Sequence, residues 1–268
     1  MNQDTVKQLL LTLRPDVEEF AVILSGKKSK KVNGLYKPEL REIIIHNKNM
    51  DTENALIYTA IHEFAHHIQF TQTHSQISAR YHTAQFYDIF HSLLFAAEKQ
   101  GIYKNIFDTL PEFQELTKSI KQDFIAVQGS LIQKLGQALK RALELCTKYK
   151  VSFDDYVDRI LKIRHNNAHF FMKLSQLNIT PIVGYENMKT LSYIKNEDER
   201  KQAETGLQSD FSPDMIRARY VKKAKSENPL KLLQSEKERI EKTINSLTNR
   251  LRIIKERIIE LQQRHGDN

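Results

Sequence analysis

Apolar positions change their spacing along the chain, and each change marks a different kind of element. Val6, Leu9, Leu10 and Leu13 fall at helical spacing and predict a first helix over residues 2 to 13. Phe20 to Leu24 and Glu42 to Ile45 are short apolar, β-branched runs and predict strands. A polar stretch separates them, from Ser25-Gly26 through Asn33-Gly34 to Pro38. Asn33-Gly34 predicts a hairpin turn, because both residue types tolerate positive φ. A small sheet is therefore expected ahead of the first long helix. That helix opens after Asp51-Thr52, which are good caps, and Glu53 in its first turn suits the helix dipole. Ala55, Ile57, Ile61, Phe64, Ala65 and Ile68 make it apolar nearly all round, a pattern that implies burial.

Polar residues from Thr71 to Arg80 predict a loop, after which Phe86, Ile89, Phe90, Leu93, Leu94 and Ala97 line one face of a further helix ending near Gly101. From about residue 121 the chain reads as helix after helix, with breaks at Gly129, Gly136 and Lys150 to Phe153. Residues 176 to 190, holding Pro181 and Gly184, are the segment most suited to a linker. In the last stretch, Leu233, Ile240, Leu247, Ile254 and Leu261 recur every seventh residue. Ile244, Leu251 and Ile258 form an offset series, with Lys237 in the remaining a position. Such heptads predict a coiled coil over residues 232 to 263 and, as its partner, a second copy or another helix of the chain. The expected class is α+β, with domains at 1–118, 119–222 and 223–268.

Composition narrows the setting. With 40% hydrophobic and 28% charged residues the chain has the make-up of a globular protein. No run of eighteen apolar residues occurs, so no membrane-spanning helix is expected. The start of the chain lacks a basic segment before a long apolar one, so no secretory signal is expected either. Cys146 is the single cysteine, which excludes an intrachain disulfide and suits a reducing, cytoplasmic setting. On its helix-like stretch Cys146 reads as a small core residue.

The net charge of +8 is unevenly placed. Residues 118 to 173 hold 11 basic against 5 acidic side chains, and residues 223 to 268 hold 11 against 7. A localised basic excess is the footprint of a polyanion binder, so DNA is an expected partner, against the plainer reading of solvated helix faces. Lys140, Arg141, Lys162 and Arg164 are the candidate phosphate contacts. The run from Ile160 to Leu174 suits a helix, a polar turn and a second helix. His165 and His169 lie four apart there, but with no third ligand in sight they read as surface or packing residues.

The chemistry concentrates earlier, since seven of the ten histidines fall between residues 46 and 91. Among them stands His62-Glu63-Phe64-Ala65-His66, on the apolar helix. Residues four apart share a helix face, so both imidazoles can reach one zinc ion, while Glu63 can serve as general base toward water activated by the metal. Polar groups in a buried helix need a compensating reason, and a zinc site supplies one. His67 points about 100° away from His66 and reads as a non-ligand. A metzincin would carry glycine at 69 and histidine at 72; Gln69 and Gln72 exclude that subclass. For the third ligand His82 leads, at the head of the next helix, with His74, Asp88, His91 and Glu98 as the other candidates. Tyr58 and Tyr81 are candidate oxyanion stabilisers.

The order of strand Glu42–Ile45, HExxH helix, loop and then His82-Thr83-Ala84-Gln85-Phe86 resembles the SprT-like zinc metallopeptidases over roughly residues 18 to 110. In that family the third ligand is a histidine in a short His-Gly-x-x-Phe segment; Thr83 stands here in place of the glycine. The resemblance implies a zincin-type fold, zinc held by His62, His66 and His82, and Glu63 as base. It also implies that an extended peptide lies along the strand before the helix, and that relatives act on DNA-attached proteins. Residues 197 to 217 resemble the helical DNA-binding part of ParB-type proteins. The expected function is thus a zinc endopeptidase that cleaves a protein or peptide and is guided to DNA by its basic helices. The alternatives are a repressor-cleaving regulatory protease and a non-catalytic partition-type scaffold with a structural zinc.

Overall fold

The computed structural model describes residues 1–73, 82–221 and 229–266, and it is mostly helical with one small mixed sheet. Helix α1 (Gln3–Leu13) starts where the Asn2 side chain accepts the Thr5 N–H, and it buries Val6 and Leu10. Three short strands follow: β1 (Ala21–Leu24), β2 (Gly34–Lys37) and β3 (Glu42–Ile45). Their order is β1-β3-β2, with β1 parallel and β2 antiparallel to β3, and Tyr36 faces Ile43 in the register.

The sheet departs from the expected hairpin. Asn33-Gly34 makes no turn: Gly34 is the first residue of β2, and the Asn33 carbonyl accepts the His46 N–H. The chain reverses instead at Pro38 to Arg41, where the Arg41 N–H bonds the Pro38 carbonyl and Arg41 takes φ 51°. A glycine is needed at 34 for space, because a Cβ there would lie 2.8 Å from atoms of Glu63 and Thr59.

Helix α2 (Glu53–Thr73) crosses this sheet, capped by the Thr52 hydroxyl that accepts the Ala55 N–H. Its Ile61, Phe64, Ala65 and Ile68 are at most 1% exposed and centre a core shared with α1, the sheet and α3 (Ala84–Lys99). Fully buried Ile and Phe side chains each contribute on the order of 1.5–3 kcal/mol, which holds α2 as the axis on which the site is built. Helix α3 stops at Gly101, whose φ of 70° lets the Ile102 N–H reach back to the Ala97 carbonyl.

Short helices α4 (Ile106–Thr109) and α5 (Pro111–Ser119) lead through a π-helical stretch, Ile120–Ile125, into α6 (Ala126–Tyr149). Gly129 and Gly136, expected as breaks, sit inside α6. A side chain at either would collide with the backbone carbonyl of Pro181 or Phe171, so these glycines let two segments approach. The break at Lys150 is real, with Lys150 as a left-handed cap at φ 56°. Then come α7 (Phe153–Asp155), a π-helical stretch (Tyr156–Ile160), α8 (His165–Gln176), α9 (Tyr185–Leu191), α10 (Glu197–Gln208) and α11 (Pro213–Arg219). Residues 176 to 190 are not a linker. Ile179, Val183 and Met188 are buried with Leu174, Leu191 and Ile194 in a core of their own. Leu139, Cys146, Phe153, Val157 and Ala168 form a further cluster, and Cys146 is the buried packing residue expected.

The chain divides into two compact units, Met1–Lys222 and Lys223–Asn268. The second is the helix α12 (Pro229–Gly266). Among the described residues no helix is long and apolar enough to cross a membrane.

Candidate metal centre

One face of α2 and the first residues before α3 make the site. His62 and His66 lie one helical turn apart, and Thr83 fixes where the third ring stands. The Thr83 hydroxyl accepts the Phe86 N–H, capping α3, and also accepts Gln69 Nε2–H of α2 at 2.9 Å. His82, the residue before that cap, is thereby brought back onto α2. One ring nitrogen from each of His62, His66 and His82 lies within 4.8 Å of the other two, a group able to hold a metal ion. His82 Nε2 is 3.2 Å from His62 Nε2. Phe86, fully buried, packs against all three rings, with centroids 5.0, 4.3 and 4.8 Å from those of His62, His66 and His82.

The electrostatics suit ligation. Burial, with His82 adding to it, lowers the His62 imidazole to about 4. Burial, then His62 and His82, lowers His66 to about 3. Both rings are therefore neutral near pH 7 and carry free lone pairs in the form a metal takes. Glu63 is 7% exposed, and burial pushes its carboxyl up to about 7, opposed by a hydrogen bond from the Tyr36 N–H. Three imidazoles beside a carboxyl and a cavity are donors that suit a zinc ion, and three ligands leave its fourth position open.

The other candidates for third ligand lie elsewhere. Asp88 accepts from Arg219 Nε at 2.7 Å, and His91 Nδ1 is 2.7 Å from the Ser212 hydroxyl, so both join α3 to α11. Glu98 stands outside the histidine group, near the end of α3, its carboxyl raised mainly by burial. His74 and Tyr81 lie outside the described residues. His67 is turned away, as expected: its Nε2–H donates to the Glu18 carbonyl at 2.9 Å. Its Nδ1 then accepts from the Tyr36 hydroxyl at 3.0 Å, a phenol that burial holds at about 12 and so keeps protonated.

The cavity beside the three rings measures ≈ 640 Å³ and is walled by Val32, Leu35, Pro38 and Tyr58 as well as by His62, Glu63, His66 and His82. Tyr58, one of the two oxyanion candidates, thus lines the site. No family model, curated protein or solved structure matches this chain.

The geometry corrects the expected substrate edge. Strand β3 is the middle strand, flanked on both sides, so no peptide can add to it. Among the described residues β2 is the edge strand that lines the cavity, with no strand beyond it. Because Asn33 bonds His46 across the pair, the alternation of an antiparallel ladder turns the N–H and C=O of Gly34 and Tyr36 outward. Sequence reasoning missed Gly34, Tyr36, Gln69 and Thr83. Of these, only Thr83, a good cap residue directly ahead of an apolar helical run, carried a local signal.

The candidate phosphate contacts lie outside the histidine group. Lys140 and Arg141 are exposed on α6, while Lys162 and Arg164 are exposed between the π-helical stretch and α8. Lys162 takes φ 58°, and none of the four makes an ion pair among the described residues. His165 and His169 pair separately, with Asp158 at 2.8 Å and Asp154 at 2.9 Å, in keeping with a surface role.

Proposed function

We propose that this chain is a zinc-dependent endopeptidase of the zincin kind, with His62, His66 and His82 as ligands and Glu63 as general base. The observation that carries the reading is the convergence of three imidazoles and one buried carboxyl on a cavity bordered by strand β2. Bound there, zinc would supply Lewis acidity toward a peptide carbonyl and its attacking water, and would draw Glu63 back toward its carboxylate form.

The protein's own groups do the rest. The outward N–H of Gly34 and the outward C=O groups of Gly34 and Tyr36 hold an extended peptide by strand addition, and the apolar walls around Tyr58 receive a side chain beside the scissile bond. Glu63 takes a proton from the attacking water onto its carboxylate and returns it to the departing amine. The Tyr36 N–H keeps that carboxylate in place between the two transfers. Basic positions Lys140, Arg141, Lys162 and Arg164 bring the enzyme to proteins on DNA, and α12 joins two copies through residues 232 to 263. We place it in the cytoplasm, which the single, unpaired cysteine favours.

The test is Glu63→Gln assayed on an unfolded protein substrate with zinc supplied. Zinc content and fold should persist while hydrolysis falls by roughly 10²–10⁴-fold. A wild-type protein that holds zinc yet cleaves nothing would favour the scaffold with a structural metal instead.

A further inference from the structure

Helix α12 carries a stripe that a single copy leaves in solvent. Ile240, Ile244, Leu247, Leu251, Ile254 and Ile258 are 46% to 59% exposed, although they alternate three and four apart along one face. Spacing of this kind describes one side of a two-helix interface. A second copy is the partner proposed above; the flanking charges go further and select the direction in which the two helices run.

Positions beside the stripe decide orientation, because in coiled coils they meet across the interface. Glu241 and Lys255 are e positions, while Arg250 and Arg257 are g positions. In a parallel in-register pair each g residue meets the partner's e residue five places on. Arg250 would then face the partner's Lys255 twice over, and Lys237 would face the partner's Lys237 inside the a layer. In an antiparallel pair e meets e and g meets g. Glu241 then faces the partner's Lys255, twice by symmetry, and the only like pair left is Arg250 with the partner's Arg250 at the centre. The apolar residues agree. About a centre at Asn249, Ile240 opposes the partner's Ile258, Ile244 the partner's Ile254, and Leu247 the partner's Leu251, so all six find an apolar partner.

We propose that α12 pairs with α12 of a second copy in the antiparallel sense, centred on Asn249. The direction rests on the dimer reading, and the two fail differently. The test uses the full chain with Cys146→Ser as background, spin-labelled at Glu238→Cys or at Asn249→Cys, with distances measured between copies. Position 238 lies eleven residues from the centre, so an antiparallel pair sets its two labels about 22 residues, or about 33 Å, apart along the axis. The 249 labels have no axial offset in either direction. A long distance at 238 with a short one at 249 supports the proposal. Short distances at both overturn the direction but leave the dimer. A chain that stays monomeric at labelling concentration overturns both.

A charge variant gives an independent sign. Lys255→Glu places like charges against Glu241 in the antiparallel pair and should weaken the dimer roughly tenfold. The double variant Glu241→Lys/Lys255→Glu should largely restore it. In a parallel pair Lys255→Glu would relieve Arg250 and tighten the dimer, which would contradict the proposal.

Discussion

Helix α2 and the stretch from α8 to α11 are both organised around fully buried apolar residues, yet they differ in what else they bury. In the helical stretch the buried polar residues are Thr190 and Ser192, and their hydroxyls bond carbonyls of their own helical turn, Glu186 and Lys189. Those groups satisfy themselves locally and ask nothing of the rest of the fold. In α2 the buried polar residues are Thr59, Glu63, His67 and Gln69. Three of them reach other elements: His67 to Glu18 and Tyr36, Gln69 to Thr83, and Glu63 to the Tyr36 N–H. Burying such groups costs several kcal/mol unless each is partnered, so they persist where the arrangement itself is needed. The lesson is that buried polarity satisfied across elements, rather than within one turn, marks the site.

That contrast can be strained first at Gly34. Gly34→Ala forces a methyl against Glu63 and Thr59 and should cost about 1–3 kcal/mol of stability, by the overpacking rule. It should also displace Glu63, lowering turnover while leaving zinc content unchanged; calorimetry and metal analysis on one sample separate the two. A loss of zinc along with stability would mean that β2 shapes the ligands as well as the base.

Tyr36→Phe comes next. It leaves His67 Nδ1 without its donor in a fully buried position and should cost about 1–2 kcal/mol in a denaturant titration. Zinc affinity should not move, because His67 lies outside the ligand group. A large drop in zinc affinity would show that the His67 bridge orients His66, its neighbour in the chain.

The smallest structural effect is expected in the helical region. Replacing Lys140, Arg141, Lys162 and Arg164 together by glutamine should change stability by less than about 0.5 kcal/mol per site, since all four are exposed. Their effect should appear in DNA affinity, whose dependence on salt should flatten by roughly one unit of slope for each phosphate no longer neutralised. Unchanged DNA affinity would remove these residues from the account.

Most of the helices and two of the three strands could be read from periodicity, because apolar spacing records which face is buried. His62, Glu63 and His66 could be read from their spacing, since a shared helix face is a local property, whereas His82 lies off that face and was one candidate among five. What escaped were residues whose reason is distant in sequence. Gly34 resembles a turn glycine, but its job is to admit Glu63. Gly129 and Gly136 resemble helix breaks, but they admit the backbone of Pro181 and Phe171. Pro181 and Gly184 suggested a linker, although Ile179, Val183 and Met188 around them are core. Tyr36 and Gln69 act through partners 31 and 14 residues away. No local pattern records such pairs.

The central claim is that His62, His66 and His82 form one metal site. Elemental analysis of the purified protein beside His82→Ala, both at matched concentration after zinc exposure and desalting, tests it most directly. The account predicts about one zinc per chain in the wild type, from a single three-histidine site, with the metal lost or much weakened in the variant and the fold intact by circular dichroism. Wild-type protein that fails to retain zinc, or a variant that retains it fully, would contradict it.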